Sequence, residues 1–226
     1  GVAAALAVLE SQDIAHGPIE ALFTIEEETS LRGALELEEG ILQGKILLNL
    51  DSEDRGDVYI GCAGGTDINV HHSYEMDPVA KDSVAVNLMV KGLKGGHSGL
   101  DIHKGLASAN VLLARTMLML DEEFELRVAR FDGGTMRNAI AREAMCQVLV
   151  AAEEEQALYQ RIEALEKTLQ AEYAATEANL MLMAEVSDAE YMLKPEDQKA
   201  LLRALKCAPH GVTRMSPELA GITETS

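Results

Sequence analysis

The chain has 226 residues, enough for one large domain or two small ones, and its 47% apolar content is that of a globular protein rather than a disordered one. Lys and Arg number 19 against 38 Asp and Glu, a formal charge of −19. That balance argues against nucleic acid and against an anionic membrane surface as partners, because both are held by clustered basic residues. Cys62, Cys146 and Cys207 are odd in number and widely spaced, with no CxxC. A disulfide framework is not expected and a cytoplasmic location is.

Residues 2–10 are Ala-rich and unbroken and predict a buried helix. The apolar stretch Val2 to Leu9 is far shorter than the roughly 20 residues a membrane span needs, and it lacks the basic leader of a signal peptide. The chain begins without Met inside this pattern and stops at Ile222 to Ser226, so both ends read as cuts through structure. His16-Gly17-Pro18 punctuates. Residues 19–25 then predict a short strand that runs into acidic residues, and 31–39 a short helix. Residues 45–50 read as a buried strand closed by a polar turn, and 57–62 and 67–72 as strands around Ala63-Gly64-Gly65.

A second organisation begins near Asp82. Residues 84–90 alternate as a strand, Gly92 to Gly99 form a glycine-rich loop, and 104–121 have helical spacing. Strands are predicted at 124–131 and 144–151, bracketing Asp132 to Asn138. Residues 153–184 contain neither Gly nor Pro and predict one long helix; Pro195 opens another at 196–206, and the tail 211–226 returns to strand. Helices and strands mixed with short loops give an α/β or α+β fold.

Four places could carry chemistry. Thr24-Ile25-Glu26-Glu27-Glu28 ends a strand in adjacent carboxylates, where one oxygen donor can bind a metal while its neighbour moves a proton; a solvated acidic turn is the plain alternative. Asp51 closes an apolar strand, as a site residue or as a turn cap, and with Glu27 and Glu28 would make an acidic cluster suited to a divalent cation. Gly95-Gly96-His97-Ser98-Gly99 exposes an imidazole on a sharp turn and matches neither nucleotide-binding glycine pattern; a simple turn would look the same. Gly133-Gly134-Thr135-Met136-Arg137-Asn138 presents Arg and Asn, which can hold a substrate carboxylate or merely tip a hairpin. The other five histidines read as structural, and Met181, Met183 and Met192 as core filling.

In this order, Glu27-Glu28 with Gly33-Ala34, Asp51-Ser52-Glu53, Gly61-Cys62-Ala63-Gly64-Gly65, Lys91 to Gly99 and Gly133 to Ile140 resemble the aminoacyl-histidine (Xaa-His, carnosinase-like) dipeptidases. These belong to the co-catalytic di-zinc peptidases, with the aminoacylases, desuccinylases and glutamate carboxypeptidases. The likeness runs over essentially the whole chain. It implies part of an α/β catalytic domain at 1–80, followed by an α+β lid/dimerisation domain of sheet and helices at 81–226, incomplete at its C-terminus.

The resemblance also implies roles. Glu27 matches the general base, Glu28 a ligand of one zinc and Asp51 a ligand of the other. His97 matches the lid histidine that reaches the partner's active site in dimeric members and stabilises the tetrahedral oxyanion. Asn138, with Arg137 beside it, matches a substrate-contacting lid residue. Two zinc ions, with cobalt or manganese as substitutes, would serve a complete site acting on a small dipeptide in a homodimer. The family's His-x-Asp motif, its bridging Asp and its C-terminal His have no counterpart in these residues; Leu100 and Ala141 stand where a Gly and a Pro are usual. The chain by itself is therefore expected to be inactive. A dimerisation scaffold, or a related amidohydrolase of the aminoacylase, desuccinylase or carboxypeptidase type, are the rival readings.

Overall fold

The computed structural model describes residues 1–51, 56 and 64–226, and the strand expected at 57–62 lies outside the described residues. The chain divides into two units, Gly1–Gly64 and Gly65–Ser226.

In the first unit the Ala-rich opening forms α1 (Val2–Glu10), but none of its residues is buried, contrary to the expected core helix. It stops where the Ser11 hydroxyl accepts the amides of Asp13 and Ile14 at 3.2 and 3.1 Å, turning the chain away. The helix expected at 31–39 shrinks to one turn, α2 (Arg32–Leu35), entered from Leu31 at φ +55°. The strands expected at 19–25 and 45–50 are absent among the described residues: the chain there joins no ladder. Ile46, Leu47 and Leu48 are 84, 81 and 78% exposed. A strand exists only where a neighbour takes up its N–H and C=O groups. Here the cross-chain tie is the Glu20 carboxylate, which accepts the amides of Gln43 and Gly44 at 2.9 and 2.6 Å.

The second unit is built on a sheet. In chain order its elements are β1 (Met76–Pro78), β2 (Ser83–Lys91), β3 (Gly96–His97), α3 (Ala109–Glu123), β4 (Arg127–Gly133), β5 (Ala139–Ile140), β6 (Ala144–Ala151), α4 (Glu155–Glu172), β7 (Met181–Ser187), β8 (Tyr191–Leu193), α5 (Pro195–Cys207), β9 (Arg214–Met215) and β10 (Thr223–Thr225). The main sheet is antiparallel, in the order β4-β6-β2-β7. The register sets Val86 opposite Val148, Leu88 opposite Cys146 and Val90 opposite Ala144. This row, buried throughout, meets Leu112, Leu113, Met117 and Leu120 of α3 and the stripe Leu158, Ile162, Leu165 and Leu169 of α4 in one core. Alternation on the strands and 3.6-residue spacing on the helices therefore aim at the same interior. Burial pushes the Cys146 thiol up to about 12, so it behaves as a small apolar side chain.

The strands at 84–90 and 144–151 and the helix at 196–206 stand close to where the sequence puts them. The long helix does not: it ends at Glu172 and residues 181–187 form edge strand β7. The unpaired side of β2 recruits Met181–Ser187 despite their helix-compatible composition, a tertiary override of local propensity. Met181 is exposed and Met183 only half-buried, so these are not the core fillers expected. Residues 67–72, also read as a strand, join no ladder among the described residues. The tail does return to strand, as the small hairpin β9–β10, which stays apart from the main sheet.

Candidate active site

The acidic segment of the first unit is a tight turn. The amide of Gly33 donates to Ile25 O at 3.1 Å, and the approach is so close that a Cβ on Gly33 would stand 2.5 Å from the Ile25 nitrogen. Between them Glu26 takes φ +56°, unusual for a residue other than glycine. Its carbonyl accepts the amides of Ser30 and Leu31 at 3.0 and 2.9 Å, and its carboxylate accepts the Ser30 hydroxyl at 2.9 Å. Glu26 is thus spent on closing the turn. Glu27 and Glu28 are exposed, and their carboxylates accept no hydrogen bond among the described residues. Asp51 is exposed too; Asn49 Oδ1 accepts its amide at 2.9 Å, and Gly1, just before α1, lies against Leu50 and Asp51.

Hard carboxylate oxygens are the donors that divalent cations take. Among the described residues, however, no three His, Cys, Asp or Glu side chains converge on a metal-holding group. Glu28 and Asp51 would leave a zinc ion short of its four ligands. The described residues do not by themselves fit a zinc centre.

In the second unit the glycine-rich loop is built around His97. Strands β3 and β5 pair Gly96 with Ile140 and His97 with Ala139, and the Ser98 amide donates to Asn138 O at 2.8 Å. The structure thus brings together His97 and Asn138, 41 positions apart by their numbers. The imidazole is exposed, and its Nδ1 accepts the amides of Gly99 and Leu100 at 3.0 and 3.2 Å. A nitrogen that accepts carries no proton, so the neutral ring holds its proton on Nε2 and presents it outward as a donor. The His97 amide donates to Asp101 Oδ2 at 2.7 Å, while Lys104 Nζ donates to Asp101 Oδ1 at 2.5 Å. Lys104, and then the His97 amide, hold the Asp101 carboxyl below its usual range.

Beside the loop is a cleft of about 580 Å³, lined among others by Ser98, Asn110, Thr135, Arg137, Ala141 and His210. Arg137 is exposed and pairs with Asp67, a contact of little energetic weight in solvent that a substrate carboxylate could replace. Asn110 Oδ1 is buried with no partner among the described residues. Reasoning from sequence misses Asp101, Asn110 and His210 as parts of this site. Asp101 was findable, a carboxylate four residues after the histidine in the same loop. Asn110 sits inside a helical pattern and His210 in a Pro-Gly-flanked tail, and neither position carries a local signal.

Residues 88–177, within the second unit, match the family model described as "Peptidase dimerisation domain", in keeping with the expected lid/dimerisation domain. The whole chain is 41% identical, over 227 aligned positions, to the cytosol non-specific dipeptidase of Escherichia coli (strain K12), covering 100% of this chain and 47% of that protein. It is 26% identical over 187 residues to the uncharacterized protein YqjE of Bacillus subtilis (strain 168), covering 80% of this chain and 44% of that one. The crystal structure of aminoacylhistidine dipeptidase from Vibrio alginolyticus superposes with a TM-score of 0.77 at 40% identity, covering 99% of this chain and 46% of that chain. The chain spans about half the length of the curated relatives it matches.

Proposed function

We propose, for a chain that belongs with these relatives to the family of peptidases carrying this dimerisation domain, a part in the metal-dependent hydrolysis of dipeptides, with zinc as the ion, Xaa-His dipeptides among the substrates and the cytoplasm as the compartment. One relative is named for non-specific and the other for aminoacyl-histidine dipeptide hydrolysis. The dipeptide is the class they share. Among the described residues no helix is long and apolar enough to cross a membrane.

The geometric observation that carries the reading is His97. Two backbone amides fix its Nδ1 as acceptor, which leaves Nε2–H aimed outward, ready to donate to the oxygen of a scissile carbonyl as charge develops there. Glu27, left free by the turn, is assigned the base that takes a proton from the attacking water and returns it to the leaving amine. Glu28 and Asp51 are assigned as two oxygen ligands, the remaining donors coming from outside the described residues. Divalent ions held by these two carboxylates together with such outside donors would supply acidification of water and polarisation of the carbonyl. Asn138 and Arg137 are assigned to the substrate, Arg137 through paired hydrogen bonds to a carboxylate. The second unit is assigned as the homodimer contact through which His97 serves a second copy.

The test is a dipeptide panel, Xaa-His members included, assayed with the full-length gene product and added zinc. Glu27→Gln is expected to lower kcat by about 10²- to 10⁴-fold, the contribution of a general acid–base, with KM moved only slightly. His97→Ala should lower kcat by about 10²- to 10³-fold, as loss of one oxyanion donor does. Full activity in Glu27→Gln overturns the base assignment. Cleavage of N-acyl amino acids but no dipeptide makes the protein an aminoacylase-type hydrolase, and no hydrolysis of either class leaves a dimerisation scaffold.

A further inference from the structure

The charged side chain most completely buried in the second unit is one that the catalytic reading does not use. Glu177, 2% exposed, lies in the turn between α4 and β7, where its own amide donates to Tyr173 O at 2.8 Å. Its Oε2 accepts the amide of Lys94 at 2.8 Å and its Oε1 the amide of Ala107 at 3.0 Å. Lys94 and Ala107 stand at the two ends of the loop that carries His97. The carboxylate thus takes one N–H from each end with a separate oxygen, and both donors would otherwise be left unpaired at the edge of the core. The same turn meets the loop's approach a second time: the Asn179 carbonyl fills the space where Gly92, at φ +80°, has no side chain.

We propose that Glu177 is the positioning residue of the His97 loop, a single buried carboxylate that fixes both ends of residues 94–107 and thereby holds the imidazole in the tautomer and direction its chemistry needs. Its catalytic consequence rests on the role proposed for His97; the clamp itself does not. Fixing two ends of a loop removes most of the freedom of what lies between them. Inside this loop the other ties include the short-range ones from Asp101 to the His97 amide and from His97 Nδ1 to Gly99 and Leu100, and the pairing of Gly96, His97 and Ser98 with residues 138–140. These set the local shape of the loop and seat its middle on β5, whereas Glu177 ties its two ends to the helix layer.

The experiment is amide hydrogen exchange and imidazole ¹⁵N shifts on the 226-residue chain, comparing wild type with Glu177→Gln, which keeps the size but exchanges one acceptor oxygen for a donor. The expected result is exchange at least tenfold faster at Gly99 and Leu100, and a His97 ring that moves from one tautomer toward a mixture, while the β2–β6 amides of Val86, Leu88 and Val148 stay within twofold. Glu177→Asp keeps both oxygens but withdraws them by one methylene, and should give a smaller change of the same kind. It carries the test if the glutamine variant fails to fold. Unchanged Gly99, Leu100 and His97 signals overturn the clamp, as does loss of protection spread evenly over the sheet in both variants. In the full-length product the clamp predicts kcat lower by about tenfold with KM nearly unmoved. A loosened loop with undiminished kcat keeps the clamp and refutes the role of His97.

Discussion

Residues 46–50 and residues 84–90 are each an aliphatic run interrupted by one asparagine, Ile-Leu-Leu-Asn-Leu in the first unit and Val-Ala-Val-Asn-Leu-Met-Val in the second. The second run is the centre of a sheet, paired on both sides by β6 and β7, with Val86, Leu88 and Val90 fully buried. The first joins no ladder among the described residues and leaves Ile46, Leu47 and Leu48 exposed. The composition of the two is nearly the same. What separates them is company: two neighbouring strands and two helices convert an aliphatic run into core, and without them the same residues bury little.

The sharpest way to break that comparison is to truncate one leucine in each run. Leu88→Ala removes a fully buried side chain from the central strand and should cost about 2–5 kcal/mol, the range for such cavities. Leu47→Ala, 81% exposed, should stay within about 0.5 kcal/mol, as surface changes do. Denaturant unfolding of both variants reads the difference. Equal losses would mean that residues 46–50 are buried in the molecule in solution, and the contrast would fall.

Two glycines of almost equal backbone angle make the next comparison. Gly40 has φ +82° with open space around its missing side chain, and Gly92 has φ +80° with the Asn179 carbonyl in that space. Gly40→Ala pays only the left-handed backbone cost of about 1–2 kcal/mol. Gly92→Ala adds a clash with main chain that cannot swing aside, about 1–3 kcal/mol more. Midpoints of chemical unfolding should therefore fall in the order wild type, Gly40→Ala, Gly92→Ala. A reversed order would show that the turn at Asn179 does not press on the loop base.

How much of this was legible in the sequence follows the same division. Strands 84–90 and 144–151 and helix 196–206 could be read locally because their periodicity agrees with the packing that encloses them. Residues 181–187 could not, because nothing within them says that β2 has a free edge. Residues 19–25 and 45–50 failed for the converse reason, a strand pattern with no partner. Of the candidate site, His97 and Asn138 were readable from the glycines around them, and their meeting across β3 and β5 follows once the pairing Gly96–Ile140 exists. That Glu26, of the three glutamates, closes the turn depends on Gly33 approaching Ile25, a contact the sequence does not display. Glu177 was invisible: an acidic residue in an Ala-rich stretch acquires its role only from two amides 70 and 83 positions away.

The smallest effect concerns the part of the second unit that most resembles the first. The His97 loop is polar and largely exposed, as the acidic turn is, yet one of its carboxyls is wired into it. The Asp101 carboxyl is held below the ordinary aspartate value of 3.8, first by Lys104 and next by the His97 amide. A carboxyl lowered on folding binds fewer protons in the folded state than in the unfolded one just below that value. Its contribution to loop order is complete above pH 3.8 and is lost as pH falls through the lower folded value. The amide proton of His97, which donates to this carboxylate, should therefore shift with a midpoint below 3.8, and Lys104→Met should move that midpoint upward. Salt should do the same in part, because Lys104 is exposed and its attraction is screened. A midpoint at or above 3.8 in the wild type would mean that the loop is no better ordered than the exposed turn around Glu27, and exposure alone would then predict order in both units.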